Sequence, residues 1–176
     1  MTYDEVLESA MAVINEFYKE TAANLETCRN IIVNEHGYKD ISGDRVCWED
    51  SNSILYPAYW SPVYLSQWYQ GEDDDEIFIS ITIILKDYWG DQAPKKEFSI
   101  YGCKFYKVVD HLKKYHWLGI YSIECPSENY KRIDQEGYTE VINPSHFGFC
   151  KFIYRSLWEV KDKQAITDFV KKIIDL

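Results

Sequence analysis

Apolar or small residues recur at Tyr3, Leu7, Ala10, Ile14, Phe17, Thr21, Leu25, Cys28 and Ile32, the three-and-four spacing that lines one stripe of an α-helix. Val6 and Val13 widen that stripe. Thr2 with Glu5 three residues on forms a capping box, so the pattern predicts a long helix that starts almost at once and stops near Gly37. Its other side carries Asp4, Glu5, Glu8, Glu16, Glu20 and Glu26, with Lys19 among them. The pairs Asp4/Glu8 and Glu16/Glu20 are like charges at i,i+4, each costing the helix about 0.2–0.5 kcal/mol. Asn24, a poor helix former, marks a place for a kink.

The period then changes. Ile77, Ile79, Ile81 and Ile83 alternate through Ile77–Ile84 and predict a central strand with one well-buried face. Glu97–Tyr106 reads as its antiparallel partner across the loop Gly90–Pro94. Phe147–Trp158 predicts another strand, with Cys150, Phe152, Tyr154 and Trp158 on an apolar face and Lys151 and Arg155 on a wet one. Short strands are expected at Arg45–Glu49 and Leu118–Ile123, and short helices at Val108–Tyr115 and after Ser61-Pro62, the latter placing Tyr64 and Trp68 on one face. Pro126–Gly137 reads as a polar loop. Gln164–Leu176 closes the chain as an amphipathic helix with Ile166, Phe169, Val170 and Ile173 inward. The expected architecture is α+β, an antiparallel sheet covered on one face by the long N-terminal helix and the C-terminal helix, in one globular domain over residues 1–176.

Charge sharpens the picture. Residues 1–76 hold 16 Asp and Glu against 4 Lys and Arg, a net −12, whereas residues 77–176 hold 13 against 15, a net +2. A one-signed field over part of a small domain attracts basic partners and repels nucleic acid and anionic membrane. The longest apolar run, Ile77–Leu85, falls well short of the ~20 residues of a membrane span. The acidic start leads into an amphipathic pattern and not into an apolar leader, so export is not expected. Cys28, Cys47, Cys103, Cys125 and Cys150 form no C-x-x-C pair, which fits buried free thiols in the cytoplasm.

Few residues carry chemistry. Glu72-Asp73-Asp74-Asp75-Glu76 is a solvated turn, because no core holds five adjacent carboxylates, and it lacks the spaced ligands of a calcium loop. His111 and His116 stand five apart, the wrong spacing for two ligands on one helical face. No cofactor or metal is expected. With 15 Tyr, 6 Trp and 8 Phe, some rings should reach the surface. Trp60, Tyr64 and Trp68, close in sequence to the acidic run, are the candidate anchors. The expected function is accordingly a non-enzymatic, acidic interaction protein, of the inhibitor or immunity type, that binds a basic protein through Glu72–Glu76 and these rings. The alternative is an enzyme or small-molecule binder whose site is assembled from distant residues. Its one local trace is Glu159-Val160-Lys161, an E-x-K triplet of metal-dependent nucleases, for which Asp134, Glu136 or Glu140 would supply the second carboxylate.

Overall fold

The computed structural model describes residues 2–42, 64–85, 98–108, 131–143 and 147–176. Among these residues seven strands form one sheet in the order β1-β2-β3-β4-β7-β6-β5, every neighbouring pair antiparallel. These are β1 (Tyr38–Asp40), β2 (Tyr64–Gly71), β3 (Phe78–Ile84), β4 (Ser99–Tyr106), β5 (Lys131–Gln135), β6 (Tyr138–Asn143) and β7 (Phe147–Ser156). Helix α1 spans Tyr3–Asn30 and continues as a π-helical turn through Glu35, and helix α2 spans Lys163–Ile174. The α+β class, the central hairpin of β3 and β4 and both terminal helices match expectation. Arg45–Glu49, Trp60, the loop at 90–94 and the elements expected over 109–123 lie outside the described residues.

The ends of α1 follow local chemistry. Thr2 Oγ1 accepts from the Glu5 amide at 3.3 Å while the Glu5 carboxylate accepts from the Thr2 amide at 2.7 Å, so two otherwise orphaned donors are satisfied. At the other end Gly37 adopts φ +69, a conformation that stops the helix without a side-chain penalty. The helix runs through Asn24, whose amide donates to the Val160 carbonyl at 3.5 Å. That residue ties α1 to the segment before α2.

One face of the sheet packs against the helices. Leu25, Cys28, Ile31 and Ile32 from α1 and its π turn meet Ile166, Phe169, Val170 and Ile173 of α2 over Leu65, Tyr69, Ile79, Ile81, Ile83, Ile100 and Ile153. The opposite face is also buried, around Trp68, Phe78, Tyr101, Cys103, Phe105, Val141, Cys150 and Phe152. Every residue of β3 is therefore interior, and the alternation that suggests one buried face understates its burial. Ser66 and Thr82 satisfy that interior by pairing, their hydroxyls 2.8 Å apart across β2 and β3.

Two expectations for this region are corrected. Tyr64–Gly71 is a strand and not a helix, because residues four apart share a face in both geometries and pairing with β3 decides between them. The segment read as a polar loop at 126–137 contains β5, which turns at Glu136-Gly137 into β6, with Gly137 at φ +86. Its exposed charges, Lys131, Arg132 and Asp134, hid it, and they suit an edge strand that must not recruit another.

Lys151 does not face open water. It stands directly across from Lys104 in the β4–β7 ladder, on the face under the end of α2. Like charges opposite one another are unfavourable. Here they are offset by the carbonyls at the C-terminal end of the helix: Lys104 Nζ donates to Ile174 O, and Lys151 Nζ to Leu176 O at 2.8 Å. Burial, then the neighbouring Lys151, pull the Lys104 ammonium below its usual pKa, while Asp175 opposes them.

Helix α2 approaches the sheet closely at Gly102. A Cβ there would lie 2.0 Å from Ile173 Cδ1 and 2.3 Å from its Cγ1. Ile173 is itself fully buried and has nowhere to retreat. Gly102→Ala should therefore lower stability by about 1–3 kcal/mol through overpacking, seen as a lower urea midpoint at unchanged slope. Truncating Ile173 in the same chain should recover part of that loss, since the two changes share one space.

Burial also fixes the thiols. Cys28, Cys103 and Cys150 are free and buried, and burial pushes the Cys28 thiol from 9.0 up to about 12. A raised folded pKa favours the fold below the unfolded pKa and loses that contribution as pH climbs from about 9 to about 12. Iodoacetamide should thus leave these three cysteines unmodified in the native protein at pH 8 and label them in urea, as mapped by peptide mass. Native labelling of Cys28 would contradict its placement.

Candidate functional site: an overhanging acidic helix

Only the second half of α1 is packed. Leu25 is 3% exposed and Cys28 and Ile32 are fully buried, whereas Tyr3 is 81% exposed, Val13 70% and Leu7 50%. Val6, Met11 and Ile14 are exposed as well. The change comes at Phe17, whose ring meets Phe98 at a centroid distance of 5.7 Å, just before β4. Beyond Phe17 toward the N-terminus the stripe continues without a partner among the described residues.

Length accounts for this. At 1.5 Å per residue α1 is about 42 Å long, and about 50 Å with its π turn. Strands rising about 3.3 Å per residue, set about 4.8 Å apart, give a seven-stranded sheet of roughly 30 Å in either direction. A helix of that length laid along either edge of the sheet would overrun it. Its apolar stripe does not end where the sheet does.

The overhanging half is cleanly divided. At 3.6 residues per turn, Val13, Val6, Ala10, Tyr3, Ile14, Leu7 and Met11 span an arc of about 160°, which Phe17 and Tyr18 continue toward the packed half. Asp4 and Glu8 border it on the Met11 side, and Glu16 and Glu20 border it on the Val13 side. Lys19 lies on the polar arc, 3.6 Å from Glu16, both side chains largely exposed. A contiguous apolar surface rimmed by charge is what interaction sites present and what monomeric surfaces otherwise avoid.

The acidic run is where the sequence places it, in the connection between β2 and β3. The hairpin closes through Gly71 N to Ile77 O at 2.9 Å and Ile77 N to Asp74 O at 3.2 Å. Asp74 Oδ1 accepts from the Glu76 amide at 2.9 Å. Glu72, Asp73, Asp74, Asp75 and Glu76 are all exposed. The turn neighbours Gly37, whose Cβ position is 3.8 Å from a Glu72 carboxylate oxygen. After burial, the Asp74 charge is the next cause holding the Tyr38 phenol above its usual pKa. The acidic turn thus sits at the packed end of the long helix, and the apolar overhang projects from the other end.

The rings expected beside that turn are elsewhere. Tyr64 is 6% exposed and Trp68 2%. Trp68 stacks on Phe105 at 5.1 Å, inside the face of the sheet opposite the helices. An aromatic cluster reads alike in sequence whether it lines a rim or a core, and pairing of β2 between β1 and β3 draws this one inward. Neither ring is presented to a partner in this fold. Trp60 lies outside the described residues.

The carboxylates offered as partners of the E-x-K triplet lie elsewhere, on β5 and β6 and in the turn between them. Glu159 sits in a 3₁₀ turn after β7, where its carboxylate accepts from the Ser156 amide at 3.2 Å. Asp134 lies on the far edge strand, hydrogen-bonded to Thr139 at 2.8 Å and near Arg132, partners that hold its carboxyl below the usual range. Glu140 pairs in register with Lys151. An open cleft of about 280 Å³ lies beside Glu159, lined also by Arg155, Asp168, Phe169 and Lys172. Among the described residues no group of three His, Cys, Asp or Glu side chains could hold a metal ion, and no helix is long and apolar enough to cross a membrane.

Stability should report the overhang directly. Leu25→Ala removes a packed core side chain and should cost about 2–5 kcal/mol. Leu7→Ala and Ile14→Ala should each stay within about 0.5 kcal/mol. Chemical denaturation of the three variants checks this, and a core-sized loss at Leu7 would show that the stripe is covered.

No protein-family model, no curated protein and no solved structure matches this chain.

Proposed function

We propose that the chain is a non-enzymatic interaction protein that binds a basic protein partner, in the manner of an inhibitor or immunity protein that masks a basic surface. The observation that carries this reading is the exposed apolar arc of α1 between borders of carboxylates. An apolar arc supplies desolvated contact, and carboxylates supply attraction at range, the two ingredients of a specific and fast association. The −12 charge of residues 1–76 supports it, since α1 and the turn at Glu72–Glu76 contribute to one field. Free buried thiols at Cys28, Cys103 and Cys150 fit a reducing compartment such as the cytoplasm.

The reading moves the apolar anchor from Tyr64 and Trp68 to the overhang of α1. It keeps Glu72–Glu76 as the steering group. Wild-type protein immobilised on a column should retain basic proteins that salt elutes. The double variant Leu7→Asp/Ile14→Asp should release a recovered partner faster, while neutralising Glu72–Glu76 to Asn and Gln should slow association and flatten its salt dependence. Surface binding at two salt concentrations measures both rates. Retention of acidic proteins, or rates indifferent to both sets of substitutions, would contradict the proposal.

A further inference from the structure

We infer that the overhang of α1 receives a basic amphipathic helix of its partner, with an apolar seam seated on Leu7, Ala10 and Ile14 and Lys or Arg side chains facing Asp4, Glu8, Glu16 and Glu20. This rests on the reading above and names the form of the partner.

The arc is convex and spaced for a helix. Tyr3, Leu7, Ala10 and Ile14 follow the alternating four-and-three step of a heptad seam up to Phe17, where the helix meets Phe98. Ala10 is the small residue between Leu7 and Ile14, and it leaves a hole into which a knob from another helix fits. An extended strand would find no hydrogen-bonding edge here, because the backbone of α1 is satisfied within the helix.

Charge selects among helices. Both borders of the arc are acidic, so a lysine- or arginine-flanked helix gains at each edge, in either direction. A second copy of α1 would bring carboxylates against carboxylates at those same edges, with Lys19 the one cation on residues 2–20 to relieve them. The same borders repel an anionic bilayer. A basic helix is the occupant whose chemistry complements both the seam and its rim.

The test uses the intact chain and a labelled synthetic peptide about 18 residues long, long enough to form a helix, with Leu at the seam positions and Lys elsewhere. Its counterpart carries Glu in place of Lys. Fluorescence anisotropy should show binding of the Lys peptide and none of the Glu peptide. Leu7→Asp/Ile14→Asp should weaken binding at least about tenfold, the loss of one or more buried apolar contacts. Glu8→Gln/Glu16→Gln/Glu20→Gln should weaken it and reduce its salt dependence, and neutralising Glu72–Glu76, at the packed end of α1, should weaken it less than either set of substitutions in the helix. Circular dichroism of each variant confirms that α1 is intact.

Equal affinity for the Glu peptide would overturn the assignment. So would binding lost on neutralising Glu72–Glu76 but kept in Leu7→Asp/Ile14→Asp, a result that leaves the basic-partner reading standing while removing the helix from it. Sedimentation showing a dimer that Ile14→Asp dissociates would give the arc to a second copy. Binding to phosphatidylcholine vesicles, lost in the same variant, would give it to a lipid surface. Either of these last two outcomes contradicts the basic-partner reading at this surface as well.

Discussion

The length of α1 relative to the sheet is the constraint on which the rest depends. The sheet buries as much of the helix as it can reach, from Thr21 through Ile32, and that contact joins α1, α2 and the central isoleucines into one core. Past Phe17 the same stripe has no sheet beneath it among the described residues. What is core at Leu25 is surface at Leu7, although the two positions are indistinguishable in sequence pattern.

That continuity explains why the fold was more legible than the site. Helix periodicity names the face that is apolar, and Thr2 with Glu5 names where the helix begins. Neither says how much of the stripe finds a partner, because that depends on the dimensions of a sheet built from residues far along the chain. The strands at β3, β4 and β7 were legible because β-branched and aromatic residues alternate there. Strand β2 was not, since Tyr64 and Trp68 share a face at helical and at strand spacing. Strand β5 was hidden by the charges that protect its edge. Trp68 illustrates the same limit from the other side: proximity to Glu72–Glu76 in sequence suggested a shared surface, and the sheet turns the ring into its interior.

The electrostatics follow the same division. The carboxylates on the polar arc of α1 and in the β2–β3 turn stay in solvent, while Asp40 is drawn inward and pairs with Arg29 at 2.7 Å. Cations that the fold draws inward, Lys104 and Lys151, are held by carbonyls at the end of α2 and so serve packing. The exposed negative field is left to act at a distance, and the apolar arc beside part of it is left to act at contact. An interaction role follows from that pairing more directly than from either feature alone.

Hydrogen exchange along α1 tests the central claim most directly. The account expects amides from Leu7 to Ile14 to exchange at the rate of a helix stabilised by its cap alone, and amides from Leu25 to Ile32 to exchange only with global unfolding. A saturating basic helical peptide should then slow the first group and leave the second unchanged. Core-like protection along the whole of α1 in the free protein would contradict the account, for it would mean that the stripe is already covered and the overhang does not exist.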